Sequence, residues 1–247
     1  MKGVILAGGL GTRLYPLTKV TNKHLLPVGK EPMIYNPIKQ LTSAGVTDIL
    51  VVTSKEHMGD IVRLLGSGED LGCKFTFKVQ ERPLGIANAL SLAEGFAKKE
   101  KIIVILGDNI MTHNIRGYVD AFSKQEKGAK LFLKKVGDPE RYGVAALDEK
   151  NMIVSMEEKP SNPKSDYAII GLYMYDEKVF DLIKKIEPSH RGQYEITSVN
   201  NIYLENGELT YEVIEGEWTD AGTFESLIQA NQMLLKIDNK LVEGSGK

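Results

Sequence analysis

The sequence is poor in the residues on which several kinds of chemistry depend. Cys73 is its only cysteine, so no disulfide can form within the chain and no zinc site can rest on paired thiolates. His24, His57, His113 and His190 are its only histidines, and they are scattered without metal-ligand spacing. No Ser/His or Cys/His pairing stands out as a nucleophile with its base, which suits direct transfer better than a covalent intermediate. A run of ~20 apolar residues, the length that crosses a bilayer, is absent. Met1-Lys2-Gly3-Val4-Ile5 leads straight into a strand instead of a signal peptide. The expectation is a soluble, cytoplasmic protein with no membrane partner. A basic surplus is missing too: 31 Lys and Arg against 33 Asp and Glu leave a net charge of −2, which gives no reason to expect a nucleic-acid partner. Any binding of phosphate must be local.

What is present is an ordinary globular composition, 42% hydrophobic and 26% charged, over 247 residues. Apolar runs at Val4–Ala7, Ile49–Thr53, Phe75–Gln80 and Ile102–Leu106 alternate with helical patterns at Met33–Ala44, Met58–Leu65 and Gly85–Phe96. Strands this continuously apolar are covered on both faces, which predicts an α/β fold with a mostly parallel sheet. Ligands of such sheets sit beyond the carboxyl ends of the strands. Gly8 to Arg13, Gln80 to Gly85 and Gly107-Asp108-Asn109 then share one rim. The second half changes character, with a strand at Ala129–Val136 and a hairpin from Gly143–Leu147 to Ile153–Glu157. A buried strand at Ala168–Tyr175, helices at Glu177–Ile186 and Ile196–Glu205, a strand at Leu209–Ile214 and a last helix at Thr223–Lys236 follow. No repeat or linker divides the chain, so the reading is one domain over 1–240, with halves of about 1–128 and 129–236 and a tail at 241–247.

The rest is organised around Lys2 to Lys30. After the first strand comes Gly8-Gly9-Leu10-Gly11-Thr12-Arg13-Leu14, where three glycines within four positions let the backbone approach a ligand with free N–H groups. Arg13 and Lys23 add two positive charges at the same edge, a site suited to a polyanion such as a nucleoside triphosphate. An ordinary strand-to-helix turn with two surface cations is the simpler alternative. Neither common phosphate loop fits. Leu14 stands where the dinucleotide fingerprint needs its third glycine, and no Gly-Lys-Ser/Thr opens a helix. Asp108, after a strand and a glycine, is placed either to hold Mg²⁺ or to cap the next segment. Asp220, in Trp218-Thr219-Asp220-Ala221-Gly222-Thr223, is equally a metal ligand or part of a helix cap. Gln80 offers donors and an acceptor that suit an imide edge, and Glu157-Glu158-Lys159 reads most simply as a solvated strand end.

Leu6-Ala7-Gly8-Gly9-Leu10-Gly11-Thr12-Arg13-Leu14, Pro16, Thr18 and Lys23-His24-Leu25-Leu26-Pro27-Val28 closely resemble the opening of the sugar-1-phosphate nucleotidylyltransferases. Within that family the likeness is greatest to its glucose-1-phosphate thymidylyltransferase branch, in a short form, and it extends over about residues 1–236. The resemblance implies a Rossmann-like mixed sheet of the nucleotide-diphospho-sugar transferase type, with a nucleotide-binding and a sugar-binding half. It implies transfer of a nucleotidyl group from dTTP or UTP to glucose 1-phosphate, feeding deoxysugar and cell-surface polysaccharide synthesis. Mg²⁺ is the implied cofactor, held by Asp108 and Asp220. The catalytic residues carried over are Arg13, Lys23 and Asp108. Nucleotide contacts fall on Leu6, Gly8, Gly9, Gly11, Thr12, Arg13, Gln80, Pro83, Gly85 and Asp108. Sugar-phosphate contacts fall on Gly143, Glu158, Lys159, Ile170 and Arg191, and Trp218 is expected to help close the nucleotide side. Departures occur at Thr219, Leu84, Ile86, His190, Gln193 and Ser198. His24 stands where the thymidylyl branch commonly has Gln and is read as structural or a peripheral contact. The resemblance also implies a homo-oligomer. The tetramer and the feedback inhibition by dTDP-rhamnose depend on a longer helical C-terminal segment and do not carry over. A non-catalytic sugar-nucleotide sensor should have lost charged site residues, whereas Arg13, Lys23, Asp108, Lys159 and Asp220 are all here.

Overall fold

A computed structural model describes the backbone of residues 1–244 and the side chains of residues 1–236. The first half runs β1 (Lys2–Ala7), β2 (Pro27–Val28), β3 (Glu31–Pro32), α1 (Tyr35–Ser43), β4 (Asp48–Ser54), α2 (Met58–Leu65) and β5 (Lys74–Gln80). It continues with α3 (Ile86–Ser91), α4 (Glu94–Ala97), β6 (Ile102–Leu106), β7 (Asn109–Met111) and α5 (Arg116–Lys124). The second half adds β8 (Ala129–Lys135), β9 (Gly143–Leu147), β10 (Ile153–Glu158), β11 (Tyr167–Tyr175), α6 (Val179–Ile183) and α7 (Ile196–Glu205). It closes with β12 (Leu209–Val213), β13 (Trp218–Asp220) and α8 (Phe224–Gly244).

The main sheet has the order β10-β9-β11-β6-β1-β4-β5, with β8 pairing β11 and β12 pairing β8. β6, β1, β4 and β5 are parallel neighbours, whereas β11 is antiparallel to β6, β8 and β9. The apolar runs of the first half are thus the parallel strands, as expected for strands covered twice. Period-2 alternation sends Val4 and Leu6 of β1 toward α3, α4, α6 and α7, and Ile5 and Ala7 toward α1, α2 and α5. A third core, around Leu14, Met33 and Ile110, fixes α8 against β2 and the loop after β1. Among the described residues, no helix is long and apolar enough to cross a membrane.

Three expected elements differ. The helix at Gly85–Phe96 is broken into α3 and α4, because Leu92 and Ala93 make tight three-residue bonds to Ala89 and Leu90 while the Ser91 hydroxyl bonds back to Asn88 O. The helix at Glu177–Ile186 shrinks to Val179–Ile183, since the Asp176 side chain and carbonyl take the N–H groups of Lys178 and Val179. The last helix runs on to Gly244, so most of the expected tail is helical, while 245–247 lie outside the described residues. The ribbon pairing β7 with β13 is absent from the periodicity, being two runs of three residues more than a hundred positions apart. It is nonetheless what builds the site.

Candidate active site

β1, β5 and β6 end on one rim, and two cavities open there. One, of about 260 Å³, is lined by Leu6, Gly8, Gly9, Gln80, Pro83 and Gly85. The other, of about 150 Å³, is lined by Arg13, Gly143, Glu158, Lys159, Thr197 and Asp220. Asp108 lines both and stands at their junction. A larger hollow of about 430 Å³ between β2, β3 and α8 contains none of these groups.

In the first cavity the chain turns out of β1 through Gly8 and Gly9 into a short helical turn at Thr12–Leu14. Lys23 lies across Gly9 and Gly11 and places Nζ 2.5 Å from Asp108 Oδ2. Thr12 lines neither cavity, while Arg13 is more than half exposed at the mouth of the second. Gln80 is buried at the end of β5, with Nε2 occupied by Asn88 Oδ1 at 3.0 Å and Gly85 O at 3.4 Å. Its Oε1 is therefore the group left for a ligand, narrower than the donor-plus-acceptor edge expected. Gly85 is needed for two reasons: its φ is 105°, and a Cβ would come within 2.5 Å of Tyr194 O. The loop segment between α6 and α7 is that close because Tyr194 N donates to Leu84 O (2.8 Å) and Ala87 N to Tyr194 O (3.1 Å).

Asp108 follows β6 and precedes β7, so it caps no helix. Asp220 ends β13, directly opposite Asn109 of β7, and it is Thr223 whose hydroxyl caps α8 through Ser226 N. Both carboxylates are thereby free of the structural role open to them in the sequence. Burial alone would push the Asp108 carboxyl up. Lys23 and His24 beside it, with hydrogen bonds from Lys23 and Asn109, hold it well below the usual carboxylate range. Asp220 goes the other way: burial and then the charge on Asp108 raise it, and Arg141, Tyr142 and Arg13 offset only part. The buried Asp108 and the half-buried Asp220, two carboxylates that repel each other, are a donor set that fits Mg²⁺, which takes one or two carboxylates and fills its shell with other oxygens and water.

The second cavity is held by pairs that no local pattern shows. Arg141 Nη2 lies 3.2 Å from Asp220 Oδ1, and Tyr142 donates its hydroxyl to the same oxygen at 3.0 Å. Arg13 reaches Asp220 at 3.9 Å. Glu158 accepts from Thr197 Oγ1 at 2.6 Å, and Arg191 lies between Glu158 (3.5 Å) and the buried Glu195 (3.3 Å). Burial raises the Glu158 carboxyl, and the Thr197 bond offsets part of the rise. Burial lowers the Lys159 ammonium, helped by Arg191. Lys159 also has φ 45°, a costly conformation for a side-chain-bearing residue, with its N–H on Tyr142 O at 2.9 Å. Alternation along β10 separates the acids: Glu157 pairs with Lys164 at the surface, and Glu158 faces the cavity.

Two expectations are corrected. The Ile170 side chain packs in the core on the α1, α2 and α5 side; its neighbours Ile169 and Gly171 line the cavity, so Ile170 can offer a ligand only its backbone. Trp218 lines the second cavity and not the one with Gln80 and Gly85, its ring 5.4 Å from that of Tyr142 and its Nε1 donating to Asn109 Oδ1 at 2.8 Å. Arg141, Tyr142, Asn109, Thr197 and Glu195 carry contacts that sequence reasoning did not assign. Asn109 and Arg141-Tyr142 at least adjoin residues that were singled out.

The chain matches the family model described as nucleotidyl transferase over residues 2–237. It is 43% identical to a glucose-1-phosphate thymidylyltransferase of Neisseria meningitidis over 97% of this chain and 84% of that one. A second such protein, from Mycolicibacterium smegmatis, is 41% identical over 96% of this chain and 83% of its own length. A solved Bacillus anthracis structure, assigned as a glucose-1-phosphate thymidylyltransferase and holding sucrose, superposes with a TM-score of 0.90 at 55% identity, covering 94% of each chain. A UDP-glucose pyrophosphorylase bound to UDP-glucose shares the fold, with a TM-score of 0.84 at 23% identity over 95% of this chain and 98% of that one.

Proposed function

The chain belongs to the nucleotidyl transferase family, and from that premise we propose that it transfers a nucleotidyl group from dTTP, or UTP, to α-D-glucose 1-phosphate. The products are dTDP-glucose, or UDP-glucose, and pyrophosphate. The observation that carries this reading is the position of Asp108, where a cavity with a base-sized polar edge meets one lined by cations and carboxylates.

A phosphate oxygen of the sugar attacks the α-phosphorus in line; the new P–O bond forms as the bond to the pyrophosphate oxygen breaks. The attacking oxygen is ionised already, so no general base is needed. The obstacle is repulsion between two polyanions, and catalysis rests on placement and fixed charge. Arg13, exposed at the mouth, takes the departing phosphates. Lys23 turns from Asp108 toward the α-phosphate. Lys159 and Arg191 aim the sugar phosphate, while Glu158, oriented by Thr197, and the Gly143 amide hold sugar hydroxyls. Mg²⁺ on Asp108 and Asp220 would supply the charge that polarises the α-phosphate. One methyl group separates thymine from uracil and is worth only ~10–200-fold, so mixed use of dTTP and UTP is expected. A matrix of four triphosphates against several hexose 1-phosphates, scored by pyrophosphate release, tests the reading. Release should peak with dTTP or UTP and glucose 1-phosphate; release that ignores the sugar phosphate would contradict it.

A further inference from the structure

Asn109 is 2% exposed, opens β7 directly after Asp108 and lines the second cavity. Three hydrogen bonds fix its side chain. Oδ1 accepts from Gly171 N of β11 at 2.9 Å and from Trp218 Nε1 of β13 at 2.8 Å. A backbone N–H and an indole N–H can only donate, so the atom they share is the amide oxygen. The amide nitrogen is thereby turned to Asp108, where Nδ2 donates to Oδ1 at 3.1 Å. Gly171 permits this approach: a Cβ there would lie 2.6 Å from Asn109 Nδ2 and 2.7 Å from Oδ1.

The two oxygens of Asp108 are held by different groups, Oδ1 by Asn109 and Oδ2 by Lys23. In the transfer reading Lys23 leaves Asp108 for the α-phosphate. Among the described residues, Asn109 is then the side chain still bonded to that carboxylate. The same amide reaches the other carboxylate through the chain. Asp220 ends β13 opposite Asn109, and Trp218, which opens that three-residue strand, is tied to Asn109 Oδ1. Just past Asp220, Ala221 N donates to Asp108 O at 2.8 Å, so Asp220 is pinned on both sides. We propose that Asn109 is the positioning residue of the metal pair: it sets the rotation of Asp108 and, through the Trp218 indole, holds β13 and with it Asp220 in place. This role rests on the nucleotidyl-transfer reading and its Mg²⁺.

Mn²⁺ binding to the protein–dTTP complex, read from the electron paramagnetic signal of the ion, tests this in a double-mutant cycle of Asn109→Ala and Trp218→Phe. Asn109→Ala should weaken Mn²⁺ about 10–100-fold and change dTTP affinity in EDTA less than about twofold. An unchanged Mn²⁺ affinity, or an equal loss of both affinities, overturns the proposal. Trp218→Phe should weaken Mn²⁺ about three- to tenfold alone and no further when Asn109 is already Ala. The same loss in both backgrounds, or none in either, also overturns it. Nitrogen-15 spectra of wild type need no variant. Adding Mg²⁺ to the dTTP complex should shift the Asn109 side-chain amide and the Trp218 indole together. A silent amide, or an indole that does not follow it, contradicts the role. Pyrophosphate release by wild type from dTTP and glucose 1-phosphate separates the two levels. Turnover with unchanged Mn²⁺ affinity in Asn109→Ala removes this role alone, and absence of turnover removes the reading beneath it.

Discussion

In the first half of the chain the groups that line the cavity are set by backbone. The turns after β1, β5 and β6 fix where Gly8, Gln80 and Asp108 stand, and Gly85 and Gly107 admit neighbours that a side chain would exclude. In the second half the comparable groups are set by one another. Arg191 is shared by Glu158 and Glu195, and Asp220 by Arg141, Tyr142 and Arg13. A ligand entering the first half meets a mould. One entering the second must replace ion pairs that already satisfy each other. Substitutions in the first half should therefore fail outright, through chemistry or folding, and those in the second should move affinity for one substrate.

The largest effect is expected where the halves meet. Asp108→Asn should lower turnover by about 10²–10³, or ~3–4 kcal/mol of transition-state stabilisation, with an unchanged circular-dichroism spectrum. Near-wild-type pyrophosphate release under Mg²⁺ would refute the role given to this carboxylate. Gly85→Ala should cost about 2–4 kcal/mol of stability, since it combines a left-handed φ of 105° with a contact at 2.5 Å to Tyr194 O. Urea unfolding measures it, and an unaltered midpoint would mean that the two halves are not pinned there.

Acid should find the first half through His24. Burial and then the Lys23 charge lower its pKa to about 3, so between about 6.5 and 3 the unfolded chain binds a proton that the fold refuses. Stability is then lost as pH falls through that window, by about 2 kcal/mol from this group at pH 5. His24→Gln should lose less stability than wild type between pH 7 and 5, and equal slopes in the two proteins would contradict the burial argument. The smallest effect belongs to the second half. Glu195→Gln loosens Arg191 and should raise KM for glucose 1-phosphate about tenfold while leaving that for dTTP unchanged. A rise in both would show that Glu195 supports the fold as a whole.

The same contrast explains what could be read before the structure. β1, β4, β5 and β6 announce themselves as unbroken apolar runs, and the glycine loop, Lys23, Gln80 and Asp108 lie within a few residues of their ends, so topology carried them to one rim. Asp220 and Glu158 stayed ambiguous, because each is decided by a partner far along the chain: Arg141 is 79 positions from Asp220, and Thr197 39 from Glu158. The Ile170 side chain turns to the core for a related reason. Resemblance selects a strand, but the pleat decides which residues line the cavity, and here those are Ile169 and Gly171. Trp218 lies two positions before Asp220, and its bond to Asn109 holds it in the same cavity as that carboxylate, away from the one lined by Gln80 and Gly85.

The pairing of Asp108 with Asp220 is the central claim, and manganese offered in place of magnesium tests it directly. Crystals of the protein with dTTP and Mn²⁺, measured at a wavelength where manganese scatters anomalously, should show one ion touching both carboxylates. An ion on Asp108 alone, or one lodged among Glu158 and Glu195, would contradict the account.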